Sequence, residues 1–186
     1  MALSKKASRL AQEVGKFQTE IQQGYMLAID PSSGSSGSLP GFAIFEKGKL
    51  VDAGTISLPR GTKQIHSRLF LLRDTLEKEF KKPDILAVEW IAPIFPGAKN
   101  AFFQKSASSL MKSVGAIMSV WDCPVLEPAP TTWHTMTPPG YEKNDANDAC
   151  MIGNAVLITL ARVLGETEPK TQLPVKNSEM EWIVHE

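Results

Sequence analysis

Two short runs of consecutive apolar residues each end on an acid, Tyr25-Met26-Leu27-Ala28-Ile29-Asp30 and Ile85-Leu86-Ala87-Val88-Glu89. Runs of this length without polar alternation read as strands buried on both faces, the situation of central strands in an α/β sheet. Between them Ile65, Leu69, Leu72, Leu76 and Phe80 keep helical spacing until Lys82-Pro83 stops it. A connection through a helix makes the two strands parallel, so Asp30 and Glu89 emerge at the same edge of the sheet. A third acidic group, Asp145-Ala146-Asn147-Asp148, opens the last apolar helix, with Asp145 and Asp148 three apart on one face. Singly, an acid after a strand is a turn residue and an acid at a helix start is a cap or a dipole partner. Jointly they form a set of carboxylates that repel one another and are costly to bury unless they hold a metal. Asp30, Glu89, Asp145 and Asp148 are therefore the expected ligands of a hard divalent cation such as magnesium.

The 186 residues, 42% of them hydrophobic, suit one α/β domain with modest extensions. The expected division is an amphipathic helical extension over 1–23, a core domain over 24–165 and a polar tail over 166–186. In the extension Leu10, Val14, Phe17 and Ile21 share one helical face, which packs on its own domain or on a partner subunit. The first strand leads through Pro31 into a Ser/Gly loop. Strands around Gly41 to Glu46 and Leu50 to Ser57 form a hairpin about Lys47-Gly48-Lys49, so the sheet begins as three antiparallel strands. After Glu89 come a loop rich in Pro, Phe and Gly and a helix with Phe103, Ala107, Leu110, Val114 and Ile117 on one face. A short strand over Cys123 to Leu126, an irregular Pro-rich run from Pro128 to Pro139 and a helix from Asp145 to Leu164 complete the pattern. In the tail only Trp182-Ile183-Val184 looks able to dock.

Lys plus Arg and Asp plus Glu both number 20, so any nucleic-acid surface must come from local clustering of basic residues. Cys123 and Cys150 match neither a zinc site nor a disulfide framework, and a reduced cytoplasm is expected. Lys5, Lys6 and Arg9 precede no continuous apolar segment, and the stretch near Ala155 to Leu164 is too short to span a membrane. The expectation is a soluble protein without membrane contact. His66, His134 and His185 lack metal-pair spacing.

Taken in order, these features resemble the RuvC family of Holliday-junction resolvases, within the RNase H-like superfamily. The resemblance runs from about Met26 to Leu164. It rests on Leu27-Ala28-Ile29-Asp30-Pro31, Gly41-Phe42-Ala43, Arg68-Leu69, Ala87-Val88-Glu89 followed by Phe95 and Lys99-Asn100, Gly115-Ala116-Ile117, Pro124-Val125, Glu127-Pro128-Ala129-Pro130 and Asp145-Ala146-Asn147-Asp148-Ala149. It implies an RNase H-like fold: a five-stranded mixed sheet, three antiparallel strands then two parallel, flanked by helices, here with an extra N-terminal helix. It also implies a homodimer that nicks four-way DNA junctions in pairs, leaving 5′-phosphate and 3′-hydroxyl ends, without a nucleotide cofactor. The expected chemistry is in-line displacement at a phosphodiester with two magnesium ions per site, manganese substituting. Asp30 would bridge the ions, and Glu89, Asp145 and Asp148 would complete the oxygen ligands.

The resemblance further places an aromatic at Phe95, able to stack on a base near the crossover, and Lys143 as a catalytic or phosphate-binding residue. Lys99, Asn100, Lys105 and Lys112 are DNA-binding candidates, and for the lysines phosphate contact and a solvated face are both open. The apolar face of the same helix, with Gly115, is the candidate dimer seam, burial inside the monomer being the alternative. Three features depart from the family: Ser32 and a longer loop where glycine follows Asp-Pro, a shorter stretch between Pro130 and Asp145, and the N-terminal helix, which suggests a divergent branch, such as a viral one. Alternatives are a broader nuclease for flaps, forks or RNA–DNA hybrids and a non-catalytic binder of branched DNA. A sugar-kinase-like domain needs glycine-rich phosphate loops and two copies of the fold.

Overall fold

The computed structural model describes residues 5–31, 39–58, 65–89 and 101–174, the side chains of 5–8, 65 and 101–106 excepted. The expectations for the Ser/Gly loop over 32–38, for Phe95, Lys99, Asn100 and the Lys105 side chain, and for Trp182 to Val184 lie outside the described residues.

Five strands form one sheet in the order β3-β2-β1-β4-β5: β1 (Tyr25–Asp30), β2 (Gly41–Glu46), β3 (Lys49–Thr55), β4 (Ile85–Val88) and β5 (Val125–Leu126). The hairpin β2–β3 and the pair β1–β2 are antiparallel, whereas β1–β4 and β4–β5 are parallel. This is the expected mixed sheet. Successive residues of a strand point to opposite faces, and here each face meets its own core. Met26, Ala28, Ile85 and Ala87 join one hydrophobic cluster, and Leu27, Ile29, Leu86 and Val88 join the other. That double burial is why neither central strand alternates in sequence.

On the first face lies α6 (Asp145–Leu164), buried without a break from Asp148 to Ala161. A helix of this length and composition is apolar enough to cross a membrane, contrary to the expectation from Ala155 to Leu164 alone. Its all-round apolarity has another cause, because sheet and α1 (Lys5–Lys16) cover it from both sides. The side chain of Asn144 accepts the Asn147 N–H at 2.8 Å at its start, and Gly165, at φ 69°, takes the left-handed C-cap. On the opposite face pack α3 (Ile65–Glu79) and α4 (Ala101–Met118), with Leu72, Leu76 and Ile117 buried.

The N-terminal extension packs on its own chain and differs from the single helix expected. It breaks at Phe17 into α1 and α2 (Gln18–Gln23). Gly15 weakens the helix just before the break, and Val14 on one side of it and Ile21 on the other are both fully buried. The run expected to be irregular holds a one-turn helix, α5 (Pro130–His134), started by Pro130 at a position where its missing N–H costs nothing.

The tail also docks earlier than expected. The side chain of Asn154, buried in α6, donates to the Gln172 carbonyl at 2.7 Å and accepts from the Gln172 N–H at 2.9 Å. The Gln172 side chain in turn donates to the Gly48 carbonyl at 2.9 Å and accepts from the Leu50 N–H at 2.7 Å. One residue thus ties the β2–β3 hairpin to the core helix.

Candidate metal centre

Asp30 ends β1, and Glu89 follows β4 directly, in strands paired as Ile29 with Val88. Both acids therefore leave the sheet at one edge, as parallel pairing requires. The antiparallel partner of Asp30 is Gly41. A Cβ on Gly41 would overlap the carbonyl of Asp145, so the missing side chain lets the first turn of α6 rest on the start of β2. A second close approach keeps the helix there, because Gly153 faces the ring of Phe45 with no space for a Cβ. Asp145 and Asp148 are thereby carried to the edge where Asp30 and Glu89 stand.

The electrostatics record this convergence. Burial, then the charges of Glu89, Asp148 and Asp145, push the Asp30 carboxyl up to about 8, with Lys143 opposing them. Burial raises Glu89 as well, against a hydrogen bond from Trp133, with Asp148 adding to the rise and Lys143 again opposing it. Asp145 is raised by burial and by Asp148, and the Leu39 N–H works the other way. Four acids from three elements share one field, and the exposed Lys143 supplies its positive charge.

Two of the four are held by aromatic donors. The Trp133 indole N–H donates to Glu89 Oε1 at 3.2 Å, and the Tyr141 hydroxyl donates to Asp148 Oδ1. Among the described residues no donor meets the Asp30 carboxylate. Neither Trp133 nor Tyr141 was marked by the sequence reading. Their one signal was an aromatic with a polar tip close to an acidic helix start, since a buried indole or phenol seeks a partner for that tip. His134 stacks on Trp133 with ring centroids 3.8 Å apart but remains exposed.

Among the described residues no three acidic, histidine or cysteine side chains are posed to hold an ion together. The donor chemistry nevertheless fits a hard cation. All four groups are oxygen donors, and burial together with the neighbouring charges raises the Asp30 carboxyl, a cost that a bound cation would offset. Lys112 lies exposed on α4.

No protein-family model matches the sequence, and no curated protein matches it. Among solved structures the chain is similar to Thermus thermophilus RuvC in complex with a Holliday junction substrate, at TM-score 0.50 and 15% identity, over 78% of this chain and 98% of that one. T. thermophilus RuvC by itself aligns at TM-score 0.48 and 14% identity, over 78% and 99% of the two chains. The fold is that of the RNase H-like class. Within that class its arrangement is that of RuvC, as the sequence motifs had implied.

Proposed function

We propose that this protein is a metal-dependent endonuclease that resolves four-way DNA junctions by paired nicks, leaving 5′-phosphate and 3′-hydroxyl ends. The observation that carries the reading is the gathering of Asp30, Glu89, Asp145 and Asp148 at one edge of a RuvC-type sheet, where Asp30 is raised to about 8 by burial and by the other three. A module that only bound DNA would gain nothing from four acids that repel phosphate.

Asp30, Glu89, Asp145 and Asp148 would hold magnesium or manganese. A bound divalent ion supplies Lewis acidity at the phosphodiester and a more acidic attacking water. Asp30, set among the charges of Glu89, Asp148 and Asp145, would be the central oxygen donor, with the other three carboxylates around it. Lys143, close enough to lower both Asp30 and Glu89, attracts the scissile phosphate that the acids alone would repel. Phe95 is assigned to base stacking at the crossover, and Lys99, Asn100, Lys105 and Lys112 to the DNA backbone. Paired nicking calls for two active sites, hence a homodimer, with α4 as its proposed seam; the setting assigned to the protein is the cytoplasm, associated with DNA.

The test is incubation of the purified protein with a labelled four-way junction, a replication fork and a linear duplex, with magnesium or with chelator. Symmetric nicks confined to the junction and lost in chelator are expected. Cutting of forks, flaps or hybrids at comparable rates would replace junction resolution with a broader structure-specific nuclease, and binding without cleavage would refute the enzyme.

A further inference from the structure

The two aromatic donors to the acidic cluster come from one short stretch of chain, 130–141. Trp133 sits in α5 and is 3% exposed, so its indole has little freedom to leave Glu89. Tyr141 follows Gly140, whose φ of 77° turns the chain, and its ring packs against the hydrophobic cluster beneath α6. Its backbone N–H donates to the Pro138 carbonyl at 3.2 Å, while its hydroxyl reaches Asp148, seven residues on. Each bond occupies one oxygen of its carboxylate, restricts the side-chain torsion and leaves the other oxygen unused by that donor. The two acids so held come from different elements, Glu89 after β4 and Asp148 in α6. A hydrogen bond to the far oxygen of a ligating carboxylate is how proteins aim such a ligand before the ion arrives.

We infer that Tyr141 and Trp133 are positioning residues, which aim Asp148 and Glu89 and thereby set the affinity of the cluster for divalent cations. This rests on the metal-dependent reading given above. Ion binding then keeps these two bonds, and the segment 130–141 acts as a brace joining the sheet edge to the start of α6. Loss of one hydroxyl leaves the Asp148 side chain free among several rotamers, and ordering it again costs binding free energy.

The experiment titrates the full chain with Mn2+ alone, without DNA, by calorimetry and by electron paramagnetic resonance of the free ion. It compares the parent with Tyr141→Phe, Trp133→Phe and Asp148→Asn, and the thermal melting of each metal-free protein is recorded in parallel. Tyr141→Phe is expected to weaken Mn2+ binding by about tenfold to a hundredfold while melting within a few degrees of the parent, and Trp133→Phe to weaken it in the same direction. Unchanged or tighter Mn2+ binding by a folded Tyr141→Phe would overturn the positioning role and leave the nuclease reading intact. Should Tyr141→Phe fail to fold, unaltered Mn2+ binding by Trp133→Phe would overturn it instead. Absence of Mn2+ binding by the parent would remove the metal-dependent reading, and this inference with it.

Discussion

Gly41 lies with its backbone directly against the carbonyl of Asp145, leaving no room for a Cβ between them. Gly41 is also the sheet partner of Asp30, so one glycine sets how near the acid of β1 comes to the acids of α6. Gly41→Ala is expected to push the start of α6 outward, destabilise the fold by about 1–3 kcal/mol and weaken divalent binding. Gly115→Ala, in a helix with nothing within 4 Å of the added methyl, should be neutral or gain up to about 1 kcal/mol. Urea denaturation of the two variants checks both signs.

The raised carboxyl of Asp30 makes the metal-free protein pH-sensitive. Its value of about 8 lies above the ordinary 3.8 of an unfolded chain, so between these pH values the unfolded state has lost a proton that the folded state retains. Stability is therefore highest at the acid end of the window and falls as pH rises towards 8, by at most about 1.4 kcal/mol per pH unit for this one group. Glu89 and Asp145 are raised too and add to the same sign. Asp30→Asn should flatten the slope of melting temperature against pH. An equal slope in the variant would disprove the assignment.

If the four acids hold the ions, Asp30→Asn, Glu89→Gln and Asp148→Asn should each lower the cleavage rate by on the order of a thousandfold, the equivalent of several kcal/mol of lost metal assistance. Junction affinity should persist or rise, since each change removes a negative charge near the phosphates. Single-turnover cleavage and gel-shift binding on the same junction separate the two effects.

Asn154, itself fully buried, makes hydrogen bonds to the carbonyls of Cys150 and Gln172 and to the Gln172 N–H. Asn154→Leu would leave the partly buried Gln172 carbonyl and N–H without their partner, at a cost of about 1–2 kcal/mol. The loosened segment around Gln172 should become the first site of limited proteolysis, which mass spectrometry of early fragments would reveal.

Junction binding should depend on salt through local basic residues, because the chain as a whole is neutral. Lys112→Ala, and likewise Lys99→Ala and Lys105→Ala, should each reduce the slope of log affinity against log salt by about one if the lysine meets a phosphate. A lysine whose loss leaves that slope alone belongs to a solvated face.

Much of the fold was legible because its signals are local. The apolar runs at Tyr25 and Ile85 gave the two central strands, and the helix expected from Asp145 to Leu164 has those bounds. Its ends are set by neighbours in sequence, Asn144 at one and Gly165 at the other. The acids were readable for a related reason, since a parallel pair of strands must deliver its C-terminal residues to one edge. By contrast, the Pro-rich run was expected to be irregular, and its turn of helix at Pro130 exists because Trp133 has a buried place to fill beside Glu89.

The chain by itself therefore determined which segments are strands and helices and which acids lie at their ends, because hydrophobic period, caps and turn residues act over a few positions. Tertiary structure alone decided that Gly41 meets Asp145, that Gln172 clasps Asn154 and that Trp133 and Tyr141 hold Glu89 and Asp148. Most of those contacts join residues far apart in the chain, and even Tyr141, seven residues before Asp148, lies outside the helix that carries it. Each partner is chosen by the shape of the packed core, which no local pattern of the chain encodes.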